Sequence, residues 1–265
     1  MRAGRCEIFF VSVAALMTLV PQNSHKDSML DGIPSGKTRV LDLSYAISDK
    51  LVPWPGDEKF FEAKVNATVE KNGYFTRSFW MLEHYGTHLD APAHFPPGKT
   101  TVDQIPVKQL MGPAVVVDVR AEGAKDADYQ LPAAGVEAWE KRYGRIPEGA
   151  IVLLRTGWAS RWPDAKSYRN QDAQGKMHFP GFSAGAAKLL MERKVSGLGC
   201  DTMSIDYGAS GDFAVHHLAL GAGLYHLENL TDLSEVPETG AFLIVAPIKL
   251  EGGSGGPVRV FAVLP

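Results

Sequence analysis

Three of the chain's eight histidines fall within eleven residues, in the stretch His84-Tyr85-Gly86-Thr87-His88-Leu89-Asp90-Ala91-Pro92-Ala93-His94. Imidazole and carboxylate together suit Zn(II), Mn(II) or Fe(II), and three such ligands leave positions open for water or substrate. The even numbering of His84, His88, Asp90 and His94 would put all four on one strand face. A regular strand, however, would hold the backbones of His84 and His88 ~13 Å apart, at about 3.3 Å per residue. Two imidazoles do not share one ion across that gap. The chain must bend between them, and Gly86 is the residue that permits it. His88 and Asp90 can stay two apart on an extended segment, while Pro92 excludes a continuing helix. A single histidine would read as surface or satisfied core; three with an aspartate and a glycine at the bend read as a metal site.

Other patterns carry less. Gly181-Phe182-Ser183-Ala184-Gly185 matches the Gly-x-Ser-x-Gly nucleophile elbow, but an elbow needs a buried strand before it. The preceding Gln174 to Pro180 is polar and ends in proline, so Ser183 is expected to be a helix N-cap instead. The glycine cluster at 252–256 lacks the Lys-Ser/Thr of a phosphate loop and reads as a flexible hairpin turn. His25, His178 and His226 stand alone and are expected at the surface or as satisfied core. Cys200 has no activating neighbour and reads as a buried, inert thiol.

These residues need elements to hold them. Val40 to Ser44 reads as the first core strand, and Phe61 to Glu70 with Tyr74 to Leu82 as two strands joined by an Asn72-Gly73 turn. Ala114 to Val119 and Ala150 to Leu154 are short aliphatic runs expected to be buried strands. Helices are expected over Ala133 to Tyr143, after Pro132, and Ala184 to Lys194, after Ser183. Two strands, Ala241 to Ile248 and Val258 to Leu264, close the chain. The result is a β-rich α/β domain with few helices.

Composition agrees. The 265 residues suffice for one well-buried domain, and 45% hydrophobic with 22% charged residues argues against disorder. The net charge of −3 comes with no long basic run, so nucleic acid and anionic membrane are not expected as partners. Arg2 and Arg5 precede an apolar run from Ile8 to Val20 and a polar exit, the layout of a secretory signal peptide over residues 1–24. Residues 25–38 read as a flexible lead-in and 39–265 as the single domain. On that reading the protein is expected in the periplasm or outside the cell, with no membrane contact after processing, and otherwise in the cytoplasm. With Cys6 in the leader, the two cysteines support no disulfide framework.

The histidine stretch resembles the His-x-Gly-Thr-His-x-Asp-x-Pro-x-His signature of the cyclase family, which includes bacterial kynurenine formamidases and isatin hydrolases. The likeness continues through Trp54-Pro55-Gly56-Asp57, Asp201 to Asp206, His216 with Glu228-Asn229-Leu230, and Gly255-Gly256-Pro257-Val258-Arg259. It spans nearly all of the chain after residue 38. The resemblance implies that His84, His88 and Asp90 bind the metal and that His94 transfers protons. It implies Trp54 in the substrate pocket, and His216 and Glu228 either on a second ion or supporting the first. The implied fold is a swivelling β/β/α domain with a barrel-like core, assembled as a homodimer or homotetramer.

The polar run from Asp206 to Phe213 and the His216-His217 pair look more like the isatin hydrolase branch. On that likeness the expected reaction is isatin to isatinate on one divalent ion per chain, Mn(II) ahead of Zn(II). The substrate would be a small aromatic amide, with N-formylkynurenine as the alternative. Phe79, Trp80 and Tyr207 are further candidates to clasp a planar ring. A rival of another class is an exported protein that merely binds a metal or metabolite, and the presence of His94 speaks for chemistry.

Overall fold

The computed structural model describes residues 29–265. The expected leader, with Cys6, and the first residues of the lead-in, with His25, lie outside the described residues. Twelve strands follow one another: β1 Val40–Asp42, β2 Phe61–Ala67, β3 Thr76–Met81, β4 His88–Asp90, β5 Met111–Asp118, β6 Gln130–Leu131, β7 Ile151–Arg155, β8 Gly181–Phe182, β9 Gly197–Cys200, β10 Tyr225–Glu228, β11 Phe242–Pro247 and β12 Gly255–Val263. The helices are α1 Val69–Asn72, α2 Arg120–Gly123, α3 Ala133–Tyr143, α4 Ala165–Arg169, α5 Ala184–Glu192 and α6 Ala214–Gly221.

Seven strands close into a barrel in the order β12-β11-β5-β7-β9-β10-β4, with β4 pairing back onto β12, and β1 flanks β12 outside the ring. The expected β-rich α/β fold with a barrel-like core is what forms. Strands β5, β7, β9 and β10 run parallel, and β7 is buried along its whole length. Burial on both faces is why Ala114 to Val117 of β5 and Ile151 to Leu154 of β7 read as continuous aliphatic runs rather than alternations. One side of this sheet sends Leu89, Val116, Leu153, Leu227, Leu243 and Val260 into the barrel interior. The other side packs Val115, Val117, Val152 and Leu154 against Trp139 of α3, Leu190 of α5 and Val215 of α6.

Several expectations hold closely. The helix at 133–143 forms as read, and Ser183 caps α5 by accepting the Ala186 N–H at 3.1 Å. Two need correction. Asn72-Gly73 is not a two-residue hairpin turn, because Val69–Asn72 coils into a short helix and Gly73 ends it at φ +78°. Only a residue without Cβ takes that conformation freely. Likewise β12 begins at Gly255, three residues before the expected start, so part of the glycine cluster is strand rather than loop.

Candidate metal centre and its cavity

The alternation of β4 and β10 builds the site. Leu89 and Leu227 point into the barrel, so His88, Asp90, His226 and Glu228 share its outer face. The antiparallel register sets them opposite one another: His226 faces Asp90, and Glu228 faces His88. On the other flank of β4, Gly255 lies opposite Asp90 and Pro257 opposite His88. Before β4 the chain turns sharply, with Gly86 at φ +69°, where a Cβ would stand 2.6 Å from the Leu51 side chain. The bend demanded by the histidine spacing is therefore present, and it folds His84 back over the strand that carries His88.

His84, His88 and His216 are each oriented by a partner on the far nitrogen. His88 Nδ1 donates to the Gly86 carbonyl at 2.9 Å, leaving Nε2 3.2 Å from Asp90 Oδ1. His216, in the first turn of α6, donates Nδ1–H to Asp206 Oδ2 at 2.6 Å. The same Asp206 carboxylate accepts the Val215 and His216 backbone N–H groups that the helix start leaves open. The freed His216 Nε2 sits 3.4 Å from Asp90 Oδ2 and 3.3 Å from Glu228 Oε1. His84 Nδ1 lies 2.6 Å from Asp90 Oδ1.

Two donor groups result, with Asp90 in both: His84, His88 and Asp90, then Asp90, His216, His226 and Glu228. Within each group the donor atoms lie within 4.8 Å of one another. A tetrahedral ion with bonds near 2.1 Å holds its ligands about 3.4 Å apart, so these spacings suit a divalent cation. Charge agrees. Burial opposes ionisation of His88, yet Asp90 and Glu228 outweigh it and push the imidazole up to about 10. Burial and Asp90 would raise Glu228, but His216 and His88 hold it down at about 2. Protons thus gather where a cation would neutralise two buried carboxylates. Asp90 Oδ2 has no hydrogen-bond partner, nor has either nitrogen of the fully buried His226. A buried polar atom is costly to leave alone, and an ion is the partner this chemistry provides for.

The open side of the site is a cavity of about 390 Å³ lined by His84, His88, His94, Trp54, Phe95, Phe213, His216 and Glu228. His94 closes the short 3₁₀ turn Pro92–His94 and stacks on His84 with ring centroids 3.8 Å apart. Burial, partly offset by Asp90, holds its imidazole down at about 4, so it is a neutral base at ordinary pH. Trp54 tilts toward Phe213 at 6.3 Å, and Phe213 lies 5.8 Å from Phe95.

Sequence reasoning and structure diverge at three points. His226, read as isolated, is the cross-strand neighbour of Asp90. Phe79 and Trp80 are 63% and 45% exposed on the β2–β3 ribbon, and neither they nor Tyr207 line the cavity. Phe95 and Phe213 supply the aromatic walls instead. Phe95 sits next to the histidine stretch, the one signal that could have marked it.

Comparison with known proteins agrees with this geometry. The profile of the Cyclase family matches residues 41–207. The chain is 36% identical over 247 residues to an isatin hydrolase of Roseibium aggregatum, across 87% of this chain and 94% of that one. It is 30% identical over 223 residues to a kynurenine formamidase of Salinibacter ruber, across 83% and 95% of the two. Among solved structures it is similar to an isatin hydrolase bound to the product analogue thioisatinate, with TM-score 0.81, 31% identity and coverage of 88% and 95%. The motif, the barrel and the histidine–carboxylate centre thus lead to one conclusion: the chain belongs to the Cyclase family of hydrolases.

Proposed function

We propose that this chain is a metal-dependent amide hydrolase that opens isatin to isatinate. The observation that carries the reading is an open donor set, His84, His88 and Asp90, beneath an aromatic-walled cavity that also presents the neutral His94. A structural metal would call for a closed four-ligand shell. The similarity to isatin hydrolases supports the choice of a cyclic amide. The chemistry a bound divalent ion supplies there is polarisation of the scissile carbonyl and a more acidic water.

The protein's own groups do the rest. Trp54, Phe95 and Phe213 hold a planar ring, each stacking contact adding about 0.5–1.5 kcal/mol beyond buried area. His94 takes the proton of the attacking water at its ring nitrogen. It then returns that proton to the lactam nitrogen as the carbon–nitrogen bond breaks, leaving an aryl amine and a carboxylic acid, which releases its proton to water to become the carboxylate. His216 Nε2 lies between the two carboxylates, 3.4 Å from Asp90 Oδ2 and 3.3 Å from Glu228 Oε1, and offsets their mutual repulsion.

One Mn(II) per chain is the expected complement, with Zn(II) as the alternative. A second reading, in which Asp90, His216, His226 and Glu228 would hold a further ion, is favoured by the unpartnered Asp90 Oδ2 and His226 nitrogens. Metal analysis of wild type, His216→Ala and Glu228→Gln decides between them. One equivalent in all three supports the single ion; two, falling in the variants, makes the centre binuclear. We also propose that residues 1–24 export the protein, checked by the N-terminus of the mature chain, and that it works as a homodimer or homotetramer.

The substrate is tested by kcat/KM for isatin against N-formylkynurenine, with Mn(II) and with Zn(II). Isatin should be preferred. A tenfold preference for the formyl compound with either metal, about 1.4 kcal/mol of transition-state binding, replaces the isatin reading with a formamidase.

A further inference from the structure

Two of the three oriented imidazoles have a simple partner, a backbone carbonyl for His88 and the Asp206 carboxylate for His216. The third does not. His84 Nε2 lies 2.9 Å from Ser254 Oγ, and Ser254 sits in the glycine-rich segment 170 residues further along the chain. Ser254 Oγ in turn donates to Glu83 Oε2 at 2.7 Å, and the Ser254 backbone N–H donates to the same oxygen at 2.8 Å. A hydroxyl has one proton. With that proton committed to a carboxylate, Ser254 Oγ can only accept from His84, so the proton of His84 must sit on Nε2. Its Nδ1, 2.6 Å from Asp90 Oδ1, is then the nitrogen that would serve a metal ion.

We infer that Glu83 and Ser254 are positioning residues that fix the tautomer and ring orientation of His84 for metal binding. The glycine-rich segment is therefore part of the metal centre rather than a slack connection. Gly255 shows how closely it is built in. Opposite Asp90 on β12, it leaves the place of its side chain to the His84 ring: a Cβ there would stand 2.6 Å from His84 Cε1 and 2.5 Å from the Leu89 carbonyl oxygen. The Ser254 carbonyl accepts the Ala91 N–H at 2.9 Å, which holds the segment against the end of β4. Glu83, next to His84 in sequence, ties the two ends of the device together.

The inference rests on His84 being a ligand, and the experiment separates the two. Affinity for Zn(II) and for Mn(II) is measured by chelator competition in wild type, Ser254→Ala, Glu83→Ala and Glu83→Gln. Melting of each metal-free variant is measured beside it. Ring N–H exchange is followed by NMR in the Zn(II)-loaded protein. The expected result is metal affinity weaker by about 10–100-fold in Ser254→Ala and Glu83→Ala, the usual effect of losing an outer partner of a ligating histidine. Glu83→Gln, which keeps an acceptor oxygen, should recover much of it. The slowly exchanging His84 Nε2–H of wild type should exchange fast in Ser254→Ala. A serine with only a turn-forming role would lower the metal-free melting temperature and leave affinity and exchange unchanged, and that outcome overturns the inference. Wild type with no metal affinity overturns the functional reading itself.

Discussion

His94 differs from the imidazoles around it by what it does not touch. His84, His88 and His216 all lie against carboxylates, whereas His94 makes ring contacts only, with His84, Phe95 and His216. A ligand needs a donor atom aimed at the shared centre; a proton carrier needs a free one aimed at the cavity. His94→Ala should therefore keep its metal and lose roughly 10²–10⁴-fold in kcat, the range for a lost general base. Metal content and turnover on the same preparation check this, and loss of metal would make His94 a ligand. The spacing of His84, His88 and Asp90, with Gly86 between, was enough to expose the cluster in the sequence. His226 was hidden because a lone histidine between Tyr225 and Leu227 looks like core, and nothing local reveals that Asp90 is its partner across the ladder.

Among the elements, long aliphatic strands and capped helices were legible because burial on both faces and Ser183 leave local marks. Strands β4, β9 and β10 were not read as strands, being three or four residues long. In β4 and β10 the polar halves of the alternation are the site itself, so chemistry erased the apolar pattern. The loop between α4 and β8 supplies a different case. His178 Nδ1 lies 2.9 Å from the Asp128 carboxylate and its Nε2 lies 3.3 Å from Asp172. The Asp128 hydrogen bond raises the imidazole above its ordinary value, with burial opposing and Asp172 helping. A raised histidine binds its proton more tightly folded than unfolded. Its stabilisation is thus complete below about 6.5 and is lost as pH rises through the folded value. NMR titration should find His178 above 6.5 and Asp128→Asn should lower it; a value at or below 6.5 in wild type would remove the clamp.

For the molecule as a whole, the β2–β3 ribbon stands apart from the barrel sheet and exposes Val65, Phe75, Phe79 and Trp80. A two-stranded ribbon is marginal in water unless something covers it, and a second copy of the chain is the occupant proposed here. Light scattering should give a dimer or tetramer, and Phe79→Lys should shift it toward monomer; an unchanged mass would place the interface elsewhere. The fold class and the barrel were legible as a whole from the resemblance, but the ring closure was not. Strand β4 completes the barrel between β10 and β12, two segments made far later in the chain. Every pairing that seats His88 and Asp90 therefore spans well over a hundred residues, and such distant contacts form slowly because the loop they close is long. During synthesis the histidine stretch emerges early and must wait, without partners, until Tyr225–Glu228 and Gly255–Val263 arrive on either side. Closing the barrel is then the step that brings His226 and Glu228 against Asp90 and His88 and completes the buried donor set.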